Sequence, residues 1–219
     1  MVKKLIDGFQ TFTNTFFDED TDFYQKLRKH GQKPDVMIIA CSDSRVDPAN
    51  LFGTKPGEVF VVRNVANLVP PYQPDDNHHG VSAALEFGVR DLRVKDIVIL
   101  GHAFCGGIDA LCSHGLSEKR KEREFITPWI KIAMPAREKF PKTEKIEDIL
   151  HCVEKESIRN SIKNLRSFPW IRDLEKSISE KIGLNVMIKN DKKNKGTITF
   201  SYHDSDQLNK IIDIVKSNY

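Results

Sequence analysis

The chain has 219 residues, which suits one large α/β domain or a domain with appendages, and its hydrophobic content of 39% is ordinary for a protein that folds in water. The 34 Lys and Arg residues are nearly balanced by 31 Asp and Glu, and this balance does not indicate a nucleic-acid surface. No apolar run approaches the ~18–20 residues of a membrane span, and Asp7 interrupts the first apolar segment where a signal peptide needs an uncharged core. Four cysteines do not resemble a disulfide scaffold, so we expect a cytoplasmic, reducing location, although a mature organellar protein would have the same composition.

Residues 1–30 are predicted to form a helical N-terminal arm that is rich in aromatic side chains. Gly31–Pro34 ends the arm, because proline cannot continue a helix. We expect its apolar side chains to pack either on the core of the same chain or on a partner subunit.

Two apolar runs without alternation, Asp35–Ala40 and Asp96–Gly101, predict buried strands of a parallel sheet that is covered on both faces. Glu58–Arg63 predicts a further strand between them in the chain. Ligands gather at the carboxyl ends of such strands. The residues that follow these runs are therefore the first candidates for a site.

The remaining elements complete a single predicted α/β domain over residues 31–219, without internal repeats or a clear linker. Asp47 followed by Pro48 predicts the start of a short helix. Further helices are predicted over 80–91, from 108 to 112, over 126–140, 146–166 and 205–216, and from Pro169 onward. Two strands near the end of the sequence, 184–189 and 197–202, are predicted to form a hairpin.

One cysteine and one His-x-x-Cys pair lie at the ends of the two apolar strands. Cys41 follows the first, and His102 and Cys105 follow the second. Two thiolates and one imidazole form a three-ligand zinc set that leaves a fourth tetrahedral position open, as in catalytic sites. On spacing alone a buried cysteine and a chance His-x-x-Cys remain an equal alternative, since the two halves are far apart in the chain.

Asp43 and Arg45 follow Cys41 closely. A site with two thiolates is nearly neutral and should acidify water less than a three-histidine site. A carboxylate at Asp43, held by a bidentate pair with Arg45, would then orient the reacting water. The alternative is a surface ion pair of little energetic worth.

The motifs Cys-Ser-Asp-Ser-Arg and His-x-x-Cys-Gly-Gly, together with segments 60–67, 82–87 and 152–157, resemble the β-class carbonic anhydrases of the plant-like type I subgroup. The resemblance covers roughly residues 30 to 200. It implies one zinc ion per chain on Cys41, His102 and Cys105, with Asp43 and Arg45 as catalytic residues. It also implies the reversible hydration of carbon dioxide to bicarbonate and a proton.

The same resemblance implies a mostly parallel central β-sheet flanked by helices, with the N-terminal arm crossing onto a second subunit of a homodimer or homotetramer. We expect no nucleic-acid or membrane partner. Two alternatives stay open at this stage. One is a zinc hydrolase of a substrate similar to carbon dioxide, such as carbonyl sulfide or carbon disulfide, and the other is a zinc module without turnover.

Four residues match substrate-pocket positions of that family: Gln32, Phe60, Val65 and Gly106. Gln32 would donate an amide N–H to a substrate oxygen, although a plain loop glutamine is nearly as good an interpretation. Apolar Phe60 and Val65 suit a substrate without a dipole. Phe87 stands where some relatives have tyrosine.

A histidine pair in the loop before the predicted helix 80–91 is a candidate for proton transfer. His78 and His79 have an ordinary pKa near 6.5, which suits a proton shuttle. Solvated loop histidines are the favoured interpretation.

Overall fold

The computed structural model describes residues 1–18, 21–113, 123–141, 145–171, 185–190 and 196–201, with 204–206, 209 and 212. The predicted turn at 191–195 lies outside these residues, as does most of the predicted helix 205–216 and most of the helix that Pro169 opens.

A three-stranded parallel sheet organises the fold. Its strands are β1 (Val36–Cys41), β2 (Val59–Asn64) and β3 (Asp96–Leu100), in the order β2-β1-β3. Cys41 pairs with Asn64 and Ala40 with Leu100, so the three carboxyl ends meet at one edge. The predicted α/β class with a parallel sheet, flanking helices and an N-terminal helix is confirmed.

The prediction that these strands are covered on both faces holds only for β1. Its residues from Met37 to Cys41 are all buried. In β2 and β3 burial alternates, because one face packs on the core while the other carries Val61 and Val98, which are 36% and 38% exposed. These two valines flank buried Ile38 in register, so one face of the sheet presents an apolar row.

Eight α-helices have both ends in the described part of the chain: α1 (Val2–Phe12), α2 (Thr21–His30), α3 (Pro48–Phe52), α4 (Gly80–Glu86), α5 (Gly106–Cys112), α6 (Ile126–Ile130), α7 (Met134–Arg137) and α8 (Ile146–Leu165). Asp47 caps α3, since its Oδ1 accepts a hydrogen bond from the Asn50 N–H at 3.1 Å. A π-helical turn, Phe87–Asp91, continues α4 over the predicted range.

The predicted helix 126–140 is wrong in its continuity. A 3₁₀ turn at Lys131–Ala133 separates α6 from α7. Pro135 lies in the first turn of α7 and has no N–H to donate to the preceding turn, so a continuous α-helix cannot pass through it. The predicted helix 146–166 agrees with α8.

The N-terminal segment is helical, as the sequence predicts, with a π-helical turn at Thr13–Asp18 after α1. None of the residues of α1 is buried, and Leu5 and Phe9 are 70% and 69% exposed. The apolar stripe of α1 therefore has no cover within the described part of the same chain.

A separate antiparallel pair completes the described structure. Its strands are β4 (Asn185–Asn190) and β5 (Gly196–Ser201), and Ile188 pairs with Ile198. This agrees with the predicted hairpin strands to within a residue at each end. No helix in the described residues is long and apolar enough to cross a membrane.

Candidate metal centre

Three potential metal ligands meet at the carboxyl edge of the parallel sheet. Cys41 ends β1, His102 lies two residues beyond β3, and Cys105 immediately precedes α5. Their ligand atoms all lie within 4.8 Å of one another, and the two Sγ atoms are 3.9 Å apart. The fold thus brings Cys41 next to two residues that lie 61 and 64 positions further along the chain.

The hydrogen bonding of His102 fits a metal ligand. Its Nδ1 lies 2.9 Å from the carbonyl oxygen of Ala103 and donates its proton there. That leaves Nε2 with a lone pair, and this atom is buried without a hydrogen-bond partner. A buried, unpartnered imidazole nitrogen beside two thiols is costly unless a cation occupies the space between them.

The thiol pair is also arranged to carry a negative charge, which its surroundings favour on Cys41. The hydrogen-bond contact between the two thiols lowers the pKa of Cys41 and raises the pKa of Cys105. Backbone N–H groups of Asp43 and Ala66 lower the pKa of Cys41 further. Those of Ile108 and Gly107 favour the charged form of Cys105. Thiolates held by backbone donors suit zinc, which binds the deprotonated sulfur.

Asp43 and Arg45 form the bidentate pair that the sequence suggests. Arg45 donates from Nε to Asp43 Oδ1 at 2.9 Å and from Nη2 to Oδ2 at 2.7 Å, and its backbone N–H also bonds Oδ1 at 3.0 Å. These contacts hold the pKa of Asp43 well below its usual range. Asp43 Oδ2 lies 3.9 Å from His102 Nε2, so the carboxylate borders the ligand cluster.

Arg63 fixes the loop that carries these residues. It donates to the carbonyl oxygens of Cys41 at 3.0 Å and Asp43 at 2.7 Å, and to Asp47 Oδ2 at 3.0 Å. Sequence reasoning gave Arg63 no role of its own. The available signal was an arginine at the end of a predicted strand that neighbours the Cys41 strand.

Glu154 is a second residue that sequence reasoning missed. It lies on α8, is 7% exposed, and accepts a hydrogen bond from the Cys105 N–H at 2.8 Å through Oε1. The signal was a glutamate among the buried positions of α8, next to Val153 and one turn from Ser157.

Two of the four predicted substrate-binding residues lie beside the ligands. Val65 follows β2 and is 37% exposed, and a Cβ on Gly107 would lie 2.8 Å from its Cγ1. Gly106 directly follows Cys105, and a side chain there would meet open space.

Gln32 and Phe60 lie near the amino end of the sheet, away from the ligands. Phe60 pairs with Met37 near the amino end of the sheet, whereas Cys41 pairs with Asn64 at the carboxyl end. The four residues from Phe60 to Asn64 separate these two positions by about 13 Å along the strand. It contacts Phe87 with ring centroids 5.9 Å apart. Exposed Gln32 precedes the amino end of β1.

The histidine pair lies in the loop before α4, where His79 contacts a carboxylate of the same loop. His78 is exposed, and His79 Nε2 lies 2.6 Å from Asp75 Oδ1, a contact that lowers the pKa of Asp75. This agrees with the interpretation as loop histidines.

Comparisons with known proteins find relatives that share one enzymatic activity. A family model described as carbonic anhydrase matches residues 36–193. The chain is 37% identical over 175 residues to beta carbonic anhydrase 3 of Arabidopsis thaliana, covering 78% of this chain and 67% of the relative.

Solved structures of similar fold include the β-carbonic anhydrase CcaA, with a TM-score of 0.72, 30% identity and coverage of 80% of this chain and 85% of that one. A tetrameric β-carbonic anhydrase of Sordaria macrospora superposes with a TM-score of 0.64 at 26% identity, covering 92% and 98% of the two chains. The fold of this chain therefore recurs in these proteins.

Proposed function

The chain belongs to the β-class carbonic anhydrase family, and from that premise we propose that Cys41, His102 and Cys105 hold the zinc ion while Asp43 and Arg45 are the catalytic residues. The protein catalyses the zinc-dependent, reversible hydration of carbon dioxide to bicarbonate and a proton. The matches do not favour a carbonyl sulfide or carbon disulfide hydrolase, nor a zinc module without turnover.

The site proposal rests mainly on His102 Nε2, which is buried without a hydrogen-bond partner. The Sγ atoms of Cys41 and Cys105 lie within 4.8 Å of the ligand nitrogen of His102. When bound there, zinc acts as a Lewis acid that lowers the pKa of water and so supplies the nucleophile. The three side chains would hold the ion, and the two thiolates would offset its charge.

Asp43 orients the reacting water in this proposal. Arg45 satisfies both carboxylate oxygens and keeps the pKa of Asp43 low, so Asp43 stays ionised and only accepts hydrogen bonds. By accepting a hydrogen bond from the reacting water at Oδ2, Asp43 would turn an oxygen lone pair of that water toward carbon dioxide. Arg45 also prevents the carboxylate from swinging onto the metal, since release of Asp43 would break two charge-assisted hydrogen bonds.

Val65 and Gly106 form the part of the carbon dioxide pocket that one chain provides. Val65 offers an apolar wall and Gly106 leaves open space beside Cys105. Gln32 and Phe60 lie at the opposite end of the sheet, which supports their supply by a second protomer. The substrate pocket is then completed only in a homodimer.

Two exposed apolar surfaces support this assembly. One is the stripe on α1, and the other is the row of Val61 and Val98 on the sheet. Surfaces of this kind on a folded chain mark protein contacts. We propose that the arm, residues 1–30, packs on a second copy of the domain 31–219 in a homodimer or a homotetramer; the similar Sordaria macrospora protein is tetrameric.

A reducing, cytoplasmic location is part of the same proposal. All four cysteines are free thiols, and the two ligands need reduced sulfur to bind zinc.

Stopped-flow hydration of carbon dioxide, on protein whose zinc content has been measured, tests the proposal. Wild-type protein should turn over with zinc present, whereas Cys41→Ser should lose zinc and activity together. Turnover by zinc-free protein, or faster turnover of carbonyl sulfide than of carbon dioxide, would contradict it.

A further inference from the structure

The peptide group between Phe104 and Cys105 is held at both of its polar atoms. Its carbonyl oxygen accepts a hydrogen bond from Arg45 Nη2 at 3.0 Å, and its N–H donates to Glu154 Oε1 at 2.8 Å. Arg45 belongs to the loop that carries Cys41, and Glu154 belongs to α8. Two charged side chains from separate elements therefore fix the plane of one peptide.

Phe104 has an unfavourable backbone conformation at this position. Its φ is +55°, in the left-handed region that bulky residues avoid. Its side chain is 76% exposed, so side-chain packing does not hold the residue there. Such a conformation persists only where the surroundings impose it, and the two hydrogen bonds of the peptide are contacts that do so.

Glu154 is placed for this task at a cost in solvation. A carboxylate that is 7% exposed is unfavourable unless hydrogen bonds satisfy it. Its Oε1 accepts from Cys105, and its Oε2 lies 3.4 Å from His151 Nδ1. Cys105 is the N-cap residue of α5, and the Glu154 carboxylate satisfies its backbone N–H.

We propose that Glu154 is a positioning residue for the metal ligand Cys105. Together with Arg45 it clamps the Phe104–Cys105 peptide, keeps Phe104 left-handed, and so directs Cys105 Sγ toward Cys41 and His102. The proposal rests on the zinc assignment above. Residues that orient a ligand in this way typically change metal affinity by about 10–100-fold when they are removed.

Zinc affinity, measured by competition with a chromophoric chelator on the full chain, is the first test. Glu154→Ala should weaken zinc binding by about 10–100-fold. Glu154→Gln keeps an acceptor oxygen and should retain most of the affinity. Glu156→Ala is the matched control, because Glu156 lies on the same helix but pairs with Lys139 and Arg159.

A second readout separates positioning from a general loss of structure. In Phe104→Gly the left-handed conformation is no longer strained, so the peptide needs less support. Glu154→Ala should therefore cost less zinc affinity in the Phe104→Gly background than alone, a non-additive result. Cobalt(II) in place of zinc should show altered thiolate-to-metal absorption in Glu154→Ala but not in Glu156→Ala.

The outcomes are distinguishable. Wild-type zinc affinity and an unchanged cobalt spectrum in Glu154→Ala would overturn the clamp while leaving the ligand assignment intact. Equal weakening by Glu154→Ala and Glu156→Ala would also overturn it, since α8 would then act only as a whole. Wild-type protein that binds no zinc would instead refute the proposed function. If the alanine variant fails to fold, Glu154→Met fills the same space without an acceptor and takes its place.

Discussion

Replacing Gly107 by alanine isolates the contact that seats α5 beside the end of β2. A Cβ on Gly107 would lie 2.8 Å from Val65 Cγ1, 2.9 Å from Ala66 Cβ and 3.4 Å from the Ala66 backbone nitrogen. Val65 is 37% exposed and can rotate, but Ala66 is fully buried and cannot retreat. The neighbouring Gly106 would place its Cβ in open space, so Gly106→Ala is a matched control.

The difference in stability between Gly107→Ala and Gly106→Ala measures the cost of the close contact at residue 107. Both gain the same helix propensity and lose the same unfolded-state freedom on going from glycine to alanine, so these terms cancel. What remains is the overpacking at residue 107, which typically costs about 1–3 kcal/mol. At roughly 2–4 °C per kcal/mol for a chain of this size, Gly107→Ala should melt about 2–12 °C below Gly106→Ala.

The assay is thermal unfolding followed by circular dichroism, with both variants at the same zinc excess because bound metal shifts the midpoint. Gly107→Ala should also show the lower denaturant midpoint. If the two variants melt together, then the Val65–Ala66 turn yields freely, and a rigid contact between α5 and the end of β2 is refuted.

Three further predictions concern the metal and the assembly. Purified wild-type protein should contain one zinc per chain, while Cys41→Ser and His102→Ala should lose it; full zinc in both variants would remove them from the ligand set. Arg45→Ala should lower the rate of carbon dioxide hydration by about 10²-fold or more, as for loss of a positioned acid–base group, and near-normal rates in stopped flow would contradict the role of the Asp43 pair. Deleting residues 1–27 should convert the oligomer to monomers with little activity, measured by light scattering and hydration rate; a fully active monomer would argue against a shared pocket.

The sequence predicts the ligand cluster because each ligand follows a recognisable strand. The uninterrupted apolar run before Cys41 indicates a buried parallel strand, and parallel strands deliver their carboxyl ends to one edge. Asp47 with Pro48 predicts a helix start by local chemistry alone. The strand before Cys41 and the helix start at Asp47 both depend on residues that are adjacent in the sequence, and the structure contains both elements.

Features that depend on distant partners could not be predicted. Glu154 bonds Cys105 across 49 residues, and nothing local to either residue indicates the contact. The left-handed Phe104 is equally hidden, since its own preference opposes the conformation it adopts. The exposure of Val61 and Val98 could not be predicted either. An apolar strand has the same sequence pattern whether its face is covered by the same chain or by another copy.

The strand order β2-β1-β3 dictates when the metal centre can form. β1 must pair with two strands that follow it by about 20 and 60 residues, and such non-local parallel pairing is slow. His102 and Cys105 reach Cys41 only after β3 has docked on β1. We therefore expect zinc to bind after the sheet has formed, unlike in small zinc-finger domains that fold around the ion. It enters a scaffold that has already formed, so a chain made without zinc should acquire the native circular dichroism spectrum first and activity afterwards, when the metal is added.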